Sequence, residues 1–306
     1  MAFTFDNGTL PADFEPTIDN YTGLITKVAR QTIEAAKASN PLAFLDKGSI
    51  DTGEIVEKAK VRFKEGTQWN EDEVNQFTAT KPEFDVVYFD EYDSHQWGQK
   101  VKTERIRAII ANKGVGTEDV VNEITGGLTE SEFDWDFTGM KGLLKQSEAH
   151  LTKAADVSTG QDLILAIRNA ITKIKYCNNA YFGDAITGLK DSTPVARIRI
   201  VIPEYVMNKL DVVTLANIYN LEKVGLIAAL YTTDSEDGHV YVFDEEAYGS
   251  ITKLREMTNV RHATNLAYYF YLTKKVMRYY CPLYKSTYID ASAFVNPVEP
   301  TEQNQE

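Results

Sequence analysis

The nearest approach to a reactive constellation in this chain is the run Asp90-Glu91-Tyr92-Asp93-Ser94-His95. On a strand, Glu91, Asp93 and His95 share one face, because side chains alternate with a period of two. Two carboxylates and an imidazole are a donor set for a divalent metal. No second histidine lies close in sequence, however, and a charged, solvated strand accounts for the same residues more simply. Other chemistries have less support. Cys177 sits in KYCNNAY without a neighbouring base, and no GxSxG elbow occurs. His95, His150, His239 and His262 are isolated in sequence and read as surface or internally satisfied histidines. Gly114-Val115-Gly116 lacks the further glycine and the Lys-Ser/Thr pair with which a phosphate loop cradles its ligand, so it reads as a turn. Cys177 and Cys281 form no CxxC or Cys/His spacing and read as buried thiols. The expectation is a chain with no catalytic residue, no metal and no cofactor.

What remains is a vocabulary of contact. Five basic residues fall between Lys100 and Lys113, and Lys274, Lys275 and Arg278 form a second basic stretch. A nucleic-acid groove is one reading. The chain carries 45 acidic against 32 basic residues, a net charge of −13, which repels a phosphate backbone. Complementarity to acids on a neighbouring copy is therefore the preferred reading. Trp69, Trp97 and Trp135 could stack on bases, but such residues more often anchor cores or interfaces. The candidate subunit-contact residues are Phe63, Trp69, Phe77, Tyr88, Phe89, Trp97, Arg105, Arg107, Lys274, Lys275 and Arg278.

The elements that must position these residues can be read from periodicity. Residues 1–20 look like an extended arm, and Leu24–Ala38 has the spacing of an amphipathic helix ended by Asn40-Pro41. Lys58–Phe63 alternates as a strand. After the polar excursion KEGTQWNEDEVNQFTATKP, the segment PEFDVVYFDEYDSHQW returns to strand composition. This predicts a long hairpin with a mobile tip, which cannot bury both faces against its own domain. Helices are expected at Val101–Lys113, after Thr117, and from Thr129 onward. Gly139 and Gly142 weaken the last of these. Ala154–Gly160 reads as a small-residue linker and Asp162–Lys175 as a helix. ARIRIVI is a strand leading through Pro203 into the helix EYVMNKL, and Asp211 is placed to cap a further short helix. Strands follow at Gly225–Tyr231, Val240–Phe243, Ile251–Met257 and Asn265–Tyr280. The last is aromatic on both faces, as expected of a strand buried on both sides or crossing an interface.

Composition bounds the class. With 306 residues, 43% hydrophobic and 25% charged, the chain has enough apolar surface for a sizeable core. The opening MAFTFDNGTLPADFEP has neither a basic n-region nor an apolar h-region, and no run of 18 apolar residues occurs. Neither a signal peptide nor a membrane helix is expected, and residence in a cytoplasm follows.

Three stretches carry a family resemblance. KGSIDTGEIVEKAKVRF, with its return PEFDVVYFDEYDSHQWGQKVKTERI, resembles an extended hairpin loop. TESEFDWDFTGMKGLLKQ resembles a long spine helix. VARIRIVIPEYVMNKLDVVTLANIYN and the strands around ITKLREMTNV and ATNLAYYFYLTKKVMRYY are similar to an axial domain and the peripheral strands that close the fold. In this order the segments resemble the major capsid proteins of small short-tailed bacteriophages over most of residues 40–290. The resemblance implies an α+β, HK97-like (Hong Kong-type) capsid fold. Its parts would be an arm and helix at 1–45, an extended hairpin with the first peripheral strand at 46–99, and a peripheral domain with the spine helix at 100–160. An axial domain at 161–248, returning peripheral strands at 249–292 and a flexible acidic tail at 293–306 would complete it. The implied function is self-assembly, as pentamers and hexamers, into a phage head enclosing double-stranded DNA that is contacted only weakly. The implied location is the virion, assembled in the host bacterial cytoplasm, with a portal protein as a further partner. Only about forty residues, with one short helix, precede the first shell strand, so the scaffolding protein is expected to be a separate chain. No added immunoglobulin-like domain is expected after the final strands. The rivals are an encapsulin-type compartment shell, which shares the fold, and more remotely a carboxylate/histidine metal enzyme at Glu91, Asp93 and His95.

Overall fold

The computed structural model describes residues 17–36, 42–50, 55–62, 83–112, 116–176, 192–210, 229–262 and 266–295. The hairpin tip, the helix capped by Asp211, Cys177, residues 1–16 of the expected arm and 296–306 of the expected tail lie outside them; residues 18–20 of the arm instead open the first helix, and 293–295 of the tail end a short one. The chain divides into two compact units, each assembled from three separate stretches.

The first unit comprises residues 1–52, 91–142 and 250–278. Its helices are α1 (Ile18–Ala36), α2 (Thr103–Ala111) and most of α3 (Thr117–Ser147). Its sheet has the order β1 (Asp46–Ser49), β9 (Tyr248–His262), β10 (Ala267–Tyr280), β4 (Asp93–Lys102). β1 runs parallel to β9, and β10 pairs antiparallel with β4, from Ala267 opposite Lys102 to Val276 opposite Asp93. Tyr21, Ile25, Val28 and Ala29 recur at helical spacing on α1, as do Val120, Val121, Ile124 and Leu128 on α3. They meet Ile106 and Ile109 of α2 and Tyr268, Phe270 and Leu272 of β10 in one core. On β10 the even-numbered residues from Tyr268 to Val276 are buried and the odd-numbered ones only partly so. The half-covered face holds Tyr269 and Tyr271, whose rings stack 6.0 Å apart, and Tyr271 lies over Gly98, where a Cβ would collide with its ring.

Two features of this unit differ from the sequence reading. One 31-residue helix replaces the two expected from Thr117 and Thr129. Two of its four glycines, Gly127 and Gly139, sit where neighbours press close, whereas Gly126 and Gly142 face open space. A Cβ at Gly127 would strike Gln99, and one at Gly139 would strike the Arg278 guanidinium, so close packing offsets their poor propensity. The single strand expected across PEFDVVYFDEYDSHQW is two, β3 (Glu83–Phe89) and β4, separated at Asp90–Tyr92. Of the turn expected at Gly114–Gly116 only Gly116 is among the described residues; its φ of +91° is a left-handed conformation that suits glycine.

The second unit comprises residues 53–90, 143–249 and 279–306. Its five-stranded sheet has the order β5 (Lys153–Asp156), β11 (Ser286–Asp290), β8 (His239–Asp244), β6 (Ile198–Pro203), β7 (Ala229–Thr233). The outer pairs, β5 with β11 and β6 with β7, are parallel; β8 pairs antiparallel with both β11 and β6. Helix α4 (Gly160–Lys175) covers the sheet with Leu163, Ile167, Ala170, Ile171 and Ile174, against Ile198, Ile200, Ile202, Val240 and Val242. Thr159 caps α4, its hydroxyl accepting from the Asp162 amide at 3.2 Å. At the other end buried Lys285 donates to the Ile174 carbonyl at 3.1 Å, satisfying one of the helix's last carbonyls. α5 (Glu204–Asn208) follows Pro203 directly. β5 falls where a linker is expected, and β11 joins this sheet beside it. β2 (Val56–Arg62) and β3 pair antiparallel as a separate two-stranded ribbon, as the hairpin reading requires. Among the described residues, no helix is long and apolar enough to cross a membrane.

Candidate assembly surface and the clamp on the long helix

In the second unit, the β2–β3 ribbon has two unlike faces. Its register sets Glu57 opposite Tyr88 and Ala59 opposite Val86. With Ile55 these residues form an outer face, on which Ile55 is 60% and Tyr88 63% exposed. The inner face is fastened. Val56 is buried, Phe89 stacks on Tyr279 with ring centroids 4.7 Å apart, and Lys58 Nζ lies 5.6 Å above the same ring and 3.6 Å from Glu246. Burial, the largest influence, raises the pKa of the Tyr279 hydroxyl, and the nearby Lys58 ammonium offsets part of the rise. Tyr279 keeps its place because position 249 has no side chain: a Cβ there would collide with the Tyr279 ring and hydroxyl. Gly249→Ala is therefore expected to cost about 1–3 kcal/mol by overpacking. A lower thermal midpoint with a weakened near-ultraviolet aromatic signal would show it.

In the first unit, charged side chains hold α3 to the sheet. Glu132 and Asp136 lie one turn apart on α3 and so point the same way. Arg255 grips Glu132 through two hydrogen bonds of 2.8 Å. Lys274, whose side chain is only 2% exposed, pairs with Glu132 at 2.9 Å and with Asp136. Arg278 reaches Asp136 at 3.2 Å and Asp93 at 2.8 Å, its guanidinium 4.2 Å from the Trp135 ring centre and against Gly139. Burial, the largest single influence on Glu132, raises its pKa, but Arg255 and Lys274 outweigh it and leave the carboxyl below its ordinary value. Such a network fixes how the helix sits on its sheet. It does not react.

The expected contact residues fall into three groups. Phe63, Trp69 and Phe77 lie outside the described residues. Lys274, Arg278, Trp97 and Phe89 are engaged within the chain: the two cations in the clamp, Trp97 edge-on to Trp135 at 5.5 Å, Phe89 on Tyr279. Lys274 and Arg278 are paired with Glu132, Asp136 and Asp93 of their own chain. Tyr88, Arg105, Arg107 and Lys275 remain at least partly open to solvent. Arg105 pairs with Glu123 on the surface, and Lys275 lies 5.0 Å above the Tyr92 ring. The strand triad separates as well: His95 stacks on Trp135 and tilts against Trp97, Asp93 belongs to Arg278, and Glu91 is exposed. Glu132 and Asp136 were missed as site residues. The signal was their four-residue spacing in TESEFDWDF, whose partners lie more than a hundred residues away.

Comparison with known proteins adds to this geometry. The sequence model of the family "Phi29-like phage major capsid protein" matches residues 6–289. No curated protein matches. Among solved structures, the capsid of Staphylococcus phage Andhra superposes with a TM-score of 0.56 at 10% identity, covering 82% of this chain and 84% of that one. The capsid of an empty GTA particle superposes at 0.52 with 11% identity, covering 83% and 90%. At such identities the likeness is one of fold, and the fold is α+β and HK97-like, as the sequence resemblance implies. A family match spanning nearly the whole chain favours a phage capsid over a compartment shell. The chain belongs to the Phi29-like phage major capsid protein family and is a structural subunit of a phage capsid.

Proposed function

We propose that the subunit assembles with copies of itself, as pentamers and hexamers, through the outer face of the β2–β3 ribbon. The supporting observation is the asymmetry of that ribbon. One face is pinned by Val56, Lys58 and Phe89; the other leaves Ile55, Ala59, Val86 and Tyr88 exposed. Exposed apolar side chains gathered on one strand pair favour a protein partner. Many copies each making a few weak contacts give a strong lattice. In this reading Arg105, Arg107 and Lys275, on the first unit, steer acidic patches of neighbouring copies. A separate scaffolding protein guides closure in the host cytoplasm, a portal protein occupies one vertex, and the acidic subunit confines double-stranded DNA without gripping it. The subunit performs no catalytic step. The test is electron microscopy of the expressed chain, alone and co-expressed with its scaffolding protein. Closed shells are expected with the scaffold. Monomers under both conditions would remove the proposal.

A further inference from the structure

We propose that Glu148, Asp237 and His239 form a binding site for a divalent transition-metal ion of the zinc class, whose place is taken by the Lys145 ammonium when no metal is bound. Among the described residues, this is where one imidazole nitrogen and two carboxylate oxygens converge, all within 4.8 Å of one another. Lys145 Nζ sits among them, 3.1 Å from Glu148 Oε2, 3.4 Å from Asp237 Oδ2 and 3.1 Å from His239 Nδ1. Three donors thus already surround a cation at a single point. The ammonium is held by both carboxylates but leaves the imidazole in conflict. His239 Nδ1 also lies 2.6 Å from Glu148 Oε1, and it cannot both give a proton to that oxygen and accept one from Lys145. A metal ion binds the nitrogen lone pair and the carboxylates together and removes the conflict.

Each donor is held by a partner behind it, which distinguishes the group from a cluster of surface acids. Tyr241 donates to Glu148 Oε1 at 2.5 Å. Asp237 Oδ1 accepts from the His239 amide and from the Ser235 hydroxyl, both at 3.1 Å, leaving Oδ2 for the cation. On the far side of the imidazole, Nε2 faces Asp290 Oδ1 at 3.8 Å. Carboxylates and hydroxyls behind the ligands are the usual supports of a zinc site. The backbone is pinned as well: Gly238, between two of the donors, has φ +74°, and a Cβ there would meet the Ser292 backbone. Nitrogen-plus-oxygen donors in this number suit zinc, with water completing a tetrahedron. The donors are only partly buried and the Lys145 side chain is about half exposed, so an ion can enter and the ammonium can swing away.

The experiment titrates the full chain with Co2+, read by its d–d absorption, and then displaces it with Zn2+. Lys145→Met is expected to bind roughly tenfold or more tightly than wild type, and Tyr241→Phe roughly tenfold more weakly, as losses behind a ligand generally act. Asp237→Asn and His239→Ala, each confirmed as folded by far-ultraviolet circular dichroism, are expected to lose the tetrahedral absorption. Having two such variants guards against one failing to fold. The proposal is overturned if Lys145→Met binds no more tightly than wild type, or if neither shows saturable absorption. Retention of the signal by Asp237→Asn or His239→Ala overturns it equally, since any bound ion would then lie elsewhere.

Discussion

Glu132→Ala is expected to lower the folding stability of the isolated subunit by about 3–5 kcal/mol, the range for breaking a buried charge pair from one side. The substitution leaves Lys274 and Arg255 turned toward a site that has lost its central carboxylate. Lys274→Met should cost far less, about 1 kcal/mol, because an apolar side chain replaces the most buried charge and can offset the lost pair. Glu132 then keeps Arg255, and Asp136 keeps Arg278. Urea unfolding of the two variants, compared at equal m-value, measures the order. A Lys274→Met variant as damaged as Glu132→Ala would show that the pairing itself, and not the orphaned charge, sets the cost.

The same network makes acid sensitivity predictable. Arg255 and Lys274 hold the Glu132 carboxyl below its ordinary pKa in the folded chain. A depressed carboxyl contributes stability that is complete above its unfolded value of about 4.3. That contribution fades as the pH falls through the lower folded value. The urea midpoint should therefore drop on acidification below about pH 4.3, and Glu132→Gln should flatten that drop while starting from a lower plateau.

Tyr88→Asp is expected to leave the subunit folded and to abolish assembly. On the exposed outer face of the ribbon the new carboxylate stands opposite only Glu57 in the strand register, so the unfolding free energy should fall by about 1 kcal/mol or less. Placed in a subunit contact, the same carboxylate is desolvated without a partner, at roughly 1–3 kcal/mol in each copy or more. Multiplied over a lattice of weak contacts, that is enough to prevent closure. Sedimentation of co-expressed subunit and scaffold reads the outcome. Shells forming at wild-type yield would move the contact to another surface.

The sequence disclosed the elements whose burial pattern is local. α1, α4, β6 and the strands β2 and β3 follow from apolar spacing within each segment, and the polar excursion between β2 and β3 marks them as a pair. It hid what depends on distant partners. Lys153–Asp156 has the composition of a linker and becomes a strand because β11, more than a hundred residues later, lies beside it. Start signals at Thr117 and Thr129 argue for two helices, and Gly139 and Gly142 against the second; the single helix forms with Gln99 and Arg278 packed against Gly127 and Gly139. Lys274, Lys275 and Arg278 read as one basic patch. On β10, alternation buries Lys274 under Glu132 and Asp136 and leaves Lys275 at the surface beside Tyr92. His239 reads as isolated because Glu148 approaches it from a segment 91 residues earlier.

The interleaving of the two units bears on how the chain folds as it is made. The chain passes from one unit to the other five times, and the first unit's sheet needs β9 and β10 before β1 and β4 have neighbours. Neither unit can finish on the ribosome while residues 250–290 are still unmade. Pairings of such long sequence separation form slowly, and in the interval the edges of β4 and β8 stay unpaired, the condition in which chains aggregate. A nascent subunit of this kind has a lasting need for protection from chaperones, and truncation after residue 249 should yield insoluble chains and no stable fragment.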